Sequence, residues 1–299
     1  MNRMQRAWFV VTMRSRWLVG VIVVGLVLGF GPSVQAFTCN PGDPAWQQAG
    51  WQQPYLGPDG TQTYGSPCAA GINGGVDSSG NPTVIAVIGP VNSTHEDIAP
   101  NYLGSPSSPP LTPAVVLATQ AAGIASAATN NGIGIAGVCP ECKLISVNPG
   151  NPSNASVKAA VEAAVNSIKT YSPTDTGVIL LAFDVLPTHN GDLTYNPPLA
   201  QTLEDIYLQQ GLALGTSISV VVPAGDGVKA SSHGRKYPTQ KKTYPCAYET
   251  VVCVGAVNPE TGARSLSSNY GAHVDVWAPG RRVVAPYPEN DAYRFAFST

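Results

Sequence analysis

Charge is what this sequence has least of. Lysine and arginine number 16, and aspartate and glutamate 18, in 299 residues, so charged side chains make up 11% of the chain. An ordinary globular protein carries about 25%. The formal net charge is −2, which gives a nucleic-acid partner no electrostatic support. Beyond residue 36 the sequence also lacks any apolar run of the roughly 20 residues needed to span a bilayer. The 31 glycines and 27 prolines stop short of the roughly 25–30% that marks a disordered chain. With 43% hydrophobic residues, the chain has material for a substantial core in one large domain or two small ones.

The first 36 residues are built differently. Arg3, Arg6, Arg14 and Arg16 precede an apolar run from Trp17 to Phe30, no acidic residue appears, and the small-residue stretch Gly31-Pro32-Ser33-Val34-Gln35-Ala36 follows. A basic flank, a short apolar stretch and small residues before a cut describe a secretory signal peptide. Cleavage is expected after Ala36, and a retained membrane anchor is disfavoured because the run is short. The expected location is secreted or periplasmic, with no membrane span after cleavage.

All six cysteines lie beyond that point, and an even count in an exported chain suggests disulfides. Sequence neighbours give Cys39–Cys68, Cys139–Cys142 and Cys246–Cys253, one pairing among the several that six cysteines allow. Cys139-Pro140-Glu141-Cys142 also has the spacing of a redox or metal motif. No second cysteine pair or histidine lies at zinc spacing, which favours a local disulfide.

Residues 37–80 are rich in glycine, proline, glutamine and tryptophan without helical period, and read as an irregular lead-in. From residue 81 onward the texture is that of one α/β domain. Thr83 to Ile88 is a β-branched run closed by Gly89-Pro90, a buried strand. Thr112-Pro113 opens an Ala-rich helix to Thr129. Lys143–Val147 is the next strand. Asn154 is expected to cap a second helix with Val157, Val161, Ala164, Val165 and Ile168 as its apolar stripe. A strand from Gly177 to Phe183, a helix from Asn196-Pro197 through Ile206, and strands at 218–223 and 250–257 complete the series. Alternating strands and helices argue a parallel sheet covered on both faces.

Several blocks resemble the subtilisin-like serine proteases, the subtilases. Gly123 to Val138, with its Thr129-Asn130-Asn131-Gly132-Ile133-Gly134 centre, resembles the segment after the family's catalytic histidine. Ala86-Val87-Ile88 and then Thr94-His95-Glu96-Asp97 resemble the catalytic-aspartate strand and its following turn. Tyr244-Pro245 through Val254-Gly255-Ala256-Val257, and Asp275-Val276-Trp277-Ala278-Pro279-Gly280, are similar to the blocks leading towards the serine. The resemblance covers residues 83–299 in family order. It implies a three-layer sandwich around a mostly parallel sheet, incomplete at its C-terminal end.

The implied chemistry needs a serine nucleophile, a histidine base, an orienting aspartate and an oxyanion donor. Carried over residue by residue, the aspartate position holds Gly89 in a turn one residue shorter, and the histidine position holds Leu117. None of the four histidines lies in that helix, and His95 matches a non-catalytic one. Asp226, in Pro223-Ala224-Gly225-Asp226, stands where an asparagine would donate to the oxyanion. The sedolisin relatives place an aspartate there, but they also carry two carboxylates on the helix, and residues 113–129 contain none. In the best register Thr299 matches the threonine before the nucleophile. Sliding by one makes Ser298 a weak candidate nucleophile.

Ala182-Phe183-Asp184 replaces the family's Ser-Leu-Gly on the substrate-binding strand, where bulk would crowd a peptide, or where Phe183 is simply core. No segment of domain size separates the leader from the domain to serve as a prodomain. The resemblance implies a calcium site at Asp97 and Asn131, with carbonyls of Thr129, Ile133 and Ile135 completing an oxygen shell; a capped turn without metal is the other reading, and no cofactor is required. Lys229 to Lys242 reads as a solvated basic loop, or a contact for an acidic partner.

The expectation is therefore an exported, catalytically inactive pseudoprotease whose partner, if any, is a polypeptide. The other reading is a serine endopeptidase cut short just before its nucleophile. The sheet face that the family's serine-bearing helix covers is expected to be bare.

Overall fold

The computed structural model describes residues 75–76, 80–150, 153–182, 197–211, 217–225 and 244–297. The leader (1–36), Cys39, Cys68, Phe183, Asp184, Asp226, Ser298, Thr299 and the basic loop 229–242 lie outside them. In chain order the elements are β1 (Val84–Ile88), a 3₁₀ turn (Ala99–Asn101), α1 (Pro113–Ser126), β2 (Lys143–Val147), α2 (Asn154–Tyr171) and β3 (Thr176–Leu181). Then follow α3 (Pro197–Gly211), β4 (Ser217–Pro223), β5 (Val252–Val257), β6 (Val276–Pro279), β7 (Arg281–Tyr287) and β8 (Ala292–Phe297). Six strands form one sheet in the order β2-β1-β3-β4-β5-β6, and every pair in it is parallel. β7 and β8 form a separate antiparallel hairpin. This is the α/β architecture expected from the alternating pattern.

β1 has neighbours on both sides and is buried along its whole length. A strand covered on both faces needs a continuous apolar run, and VIAVI supplies it. One face of the sheet carries α2 and α3. Val157, Val161, Ala164 and Ile168 of α2, and Leu199 and Leu203 of α3, are buried against Ile179, Leu181, Ile218 and Val220. The opposite face carries α1, whose Ala118 and Ala122 pack on Ile85, Val87 and Leu144. α1 covers β1 and β2 and stops there. Further along that face Val178, Leu180, Val221 and Val254 are half-buried, Ser217, Ser219 and Val252 are exposed, and Val276 is 46% exposed. Among the described residues, α1 is the helix on this face.

Local chemistry explains the boundaries. Thr112 caps α1, its Oγ1 accepting from Val115 N at 3.2 Å, with Pro113 opening the first turn. The helix stops at Ser126, short of the expected Thr129, because Ala127 turns extended. α2 is capped by Ser153, not by Asn154. Ser156 N donates to Ser153 Oγ at 3.1 Å and Ser153 N to Ser156 Oγ at 2.8 Å, a reciprocal box that makes Asn154 the first helical residue. Cys139–Cys142 and Cys246–Cys253 are both bridged, as sequence neighbourhood suggested.

Candidate active site

Of the positions expected to matter, Gly89, Leu117 and Ala182 lie around the C-terminal ends of β1 and β3 and the first turns of α1, and Asp226 and Ser298 lie outside the described residues. Gly89 follows β1. Its N–H donates to Val147 O at 2.9 Å, and its carbonyl accepts from Ser146 Oγ at 2.7 Å. Its φ is +153°, a conformation L side chains rarely adopt. A Cβ there would lie 2.9 Å from Ala118 Cβ and 3.1 Å from Ala182 O. The site is closed to an aspartate unless α1 or the end of β3 moves.

Leu117 and Ala182 face a common cavity of about 250 Å³, whose rim Gly225 joins at the end of β4. Leu117, Ala121 and Ile124 form one wall, and Leu180, Val221 and Ala256 line the sheet side. Gln120, itself buried, is the polar side chain among the lining residues. No titratable side chain lines the cavity among the described residues. A general base must stand within hydrogen-bond reach of the proton it takes, and this wall is hydrocarbon.

The remaining candidates assemble elsewhere, around the turn after β1. His95 is fully buried. Its Nδ1 accepts from Asp97 N at 3.2 Å, which leaves the proton on Nε2 to reach Ala292 O at 3.2 Å. It meets the Tyr293 ring edge-on, centroids 5.2 Å apart. His95 is a structural histidine, as its place in the sequence suggested. Asp97 and Asn131 are brought together, with Asn131 Nδ2 donating to Asp97 Oδ1 at 2.9 Å. Ile135 supplies its N–H to Asp97 Oδ2 at 3.0 Å, and Ile133 supplies its N–H to Asn131 Oδ1 at 2.8 Å. Thr129 Oγ1 turns to Ala127 O at 3.4 Å. The expected calcium shell needs oxygens aimed at one point; here N–H donors face the carboxylate, and that set does not fit the ion.

Three residues with structural roles escaped the sequence reading. Asn92 donates through Nδ2 to Pro288 O at 2.7 Å. Asn269 holds the end of β4, its Nδ2 donating to Ala224 O and its N–H to Gly225 O, both at 2.9 Å. Tyr293 lies over Gly134, where a Cβ would fall 2.0 Å from the ring. Its hydroxyl donates to Glu96 Oε1 at 3.4 Å. Burial, with the Asp97 and Glu96 carboxylates beside it, pushes the Tyr293 phenol far above its usual range, so it remains a donor. Asn290 and Asp291, both at positive φ, lie in the four-residue turn that closes the β7–β8 hairpin.

A model of the subtilase family matches residues 118–295. This chain belongs to the subtilase family. Among curated subtilases, subtilisin BL of Lederbergia lenta is 29% identical over 227 residues, 73% of this chain and 71% of that protein. Thermitase of Thermoactinomyces vulgaris is 29% identical over 170 residues, 57% of this chain and 51% of its own. A solved protease from Pseudoalteromonas arctica superposes with a TM-score of 0.55 over 72% of each chain at 21% identity, a likeness of fold. Subtilase membership places the chain in the serine-peptidase class by descent. Among the described residues no helix is long and apolar enough to cross a membrane.

Proposed function

We propose that this subtilase is an exported pseudoprotease that has kept the fold, lacks the Ser-His-Asp machinery, and works by binding a polypeptide. The observation that carries the proposal is the hydrocarbon wall at Gly89 and Leu117, with no room for a side chain at the first and no proton acceptor at the second. Asp226 adds to it from sequence, since an ionised carboxylate repels a developing oxyanion. Export is supported by the basic-apolar-small pattern of residues 1–36 and by the bridged cysteines. The low net charge speaks against nucleic acid as a partner.

A second reading, a subtilisin-like serine endopeptidase, is favoured by one observation. Phe297 pairs with Arg281, so β8 returns the chain to the cavity rim at Gly280, one residue before Ser298. The two readings separate in one experiment. The full-length protein is treated with a fluorophosphonate probe and assayed on casein from acid to alkaline pH. The pseudoprotease gives neither labelling nor hydrolysis. Labelling that disappears in Ser298→Ala would overturn it in favour of the endopeptidase.

A further inference from the structure

Asp97 is a fully buried carboxylate, and the described residues bury few charges. A group of that kind needs compensation, by a cation or by hydrogen-bond donors. The donors are present, and two segments close around the carboxylate, the loop after α1 and the hairpin. The loop after α1 contributes the Asn131 amide to one carboxylate oxygen and the Ile135 N–H to the other. Ile133 N–H binds Asn131 Oδ1 at 2.8 Å, which fixes the amide so that its nitrogen, not its oxygen, faces Asp97. Ala128 N–H donates to the Asp97 carbonyl at 2.8 Å. From the hairpin, Tyr293 closes the top, its ring on Gly134 and its hydroxyl on the adjacent Glu96.

The same turn grips the hairpin at further points. Asn92 Nδ2 reaches Pro288 O, His95 Nε2 reaches Ala292 O, and Glu96 N–H donates to Asp291 Oδ1 at 3.0 Å. A calcium ion takes six to eight oxygens at about 2.3–2.6 Å. Seating one at Asp97 would require Asn131 to give up Ile133 and rotate, and would set the ion against the Ile135 N–H.

We propose that the Asp97 cage is closed by hydrogen-bond donors in place of a metal ion, with Tyr293 as its lid, and that this metal-free clamp fastens the β7–β8 hairpin to the turn after β1. The clamp stands whether or not the protein cleaves peptides.

The test uses the full-length protein. Thermal melts are recorded in calcium chloride and in EDTA, for the wild type and for Tyr293→Phe, which removes the hydroxyl and keeps the ring. The expected wild-type midpoint is the same in both buffers. Tyr293→Phe should lower it by roughly 2–4 °C, equally in both. Calcium that raises the wild-type midpoint, with the rise lost in Asp97→Asn, overturns the proposal. An unchanged midpoint in Tyr293→Phe removes the lid. Should Asp97→Asn fail to fold, terbium replaces calcium on the wild type. Tyrosine-sensitised terbium emission that calcium displaces overturns the metal-free cage, and no such emission upholds it.

Discussion

The two faces of the sheet are made from the same strands and have opposite fates. On β3, Ile179 and Leu181 point to the α2–α3 side and are buried, while Val178 and Leu180, alternating with them, are half-buried. On β4, Ile218, Val220 and Val222 are buried, while Ser217 and Ser219 are exposed. Each buried aliphatic side chain contributes about 1.5–3 kcal/mol, against a total stability of only about 5–15 kcal/mol for a typical domain. Among the described residues the larger aliphatic cluster lies on the α2–α3 face, and the α1 face buries a smaller one around Ile85, Val87 and Leu144. The α1 face also carries the cavity lined by Leu117 and Ala182. Alternation along a strand decides which side chains belong to which face; what covers each face is decided by helices elsewhere in the chain.

The largest effect should come from the covered face. Ile179→Ala should cost about 2–5 kcal/mol in urea unfolding, because α2 and α3 cannot collapse into the gap. A cost below about 1 kcal/mol would mean that this face is no better packed than its opposite. The seam between the faces gives the next effect. Gly89→Ala should cost about 1–3 kcal/mol, combining a disfavoured φ with contact against Ala118. Gly80, at φ +83° with open space around it, is the control for the φ contribution alone. Equal costs at the two glycines would show that Gly89 has room for a side chain, and the closed aspartate position would be open after all. The smallest effect belongs to the part of the α1 face that is exposed among the described residues. Val276→Ser should change stability by no more than about 0.5 kcal/mol and should reduce binding of the hydrophobic dye ANS by the full-length protein. A wild type that binds no ANS would show that face to be covered.

Much of this was legible in the sequence. The strand at 84–88 reads directly from an uninterrupted β-branched run, and α1 from Thr112-Pro113. That Gly89 offers no side chain and Leu117 no proton acceptor was also readable, because residue identity is a covalent fact that needs no packing argument. The hairpin was not readable. β7 contains Pro286, a bulge between Arg281 and Val283, and Arg282 at φ +56°, so its alternation is broken where a strand signal should be strongest. The turn at Asp97 was legible only as two alternatives, a calcium site or a capped turn without metal. The sequence supplied Asp97 and Asn131, but not whether oxygen or nitrogen of the amide faces the carboxylate. That orientation is set by Ile133 N–H, a backbone group with no letter of its own.

The grip of the turn after β1 on the hairpin also has a consequence in time. Asn92 and Pro288 are separated by 196 residues, and His95 and Ala292 by 197. At a synthesis rate of about 5–20 residues per second, roughly 10–40 s pass between the appearance of one jaw and the other. Through that interval the Asn92 amide and the His95 imidazole have no native partner in the hairpin. Contacts this far apart close late, because the chain must give up loop entropy before they repay it. The turn after β1 is in this sense finished by the hairpin.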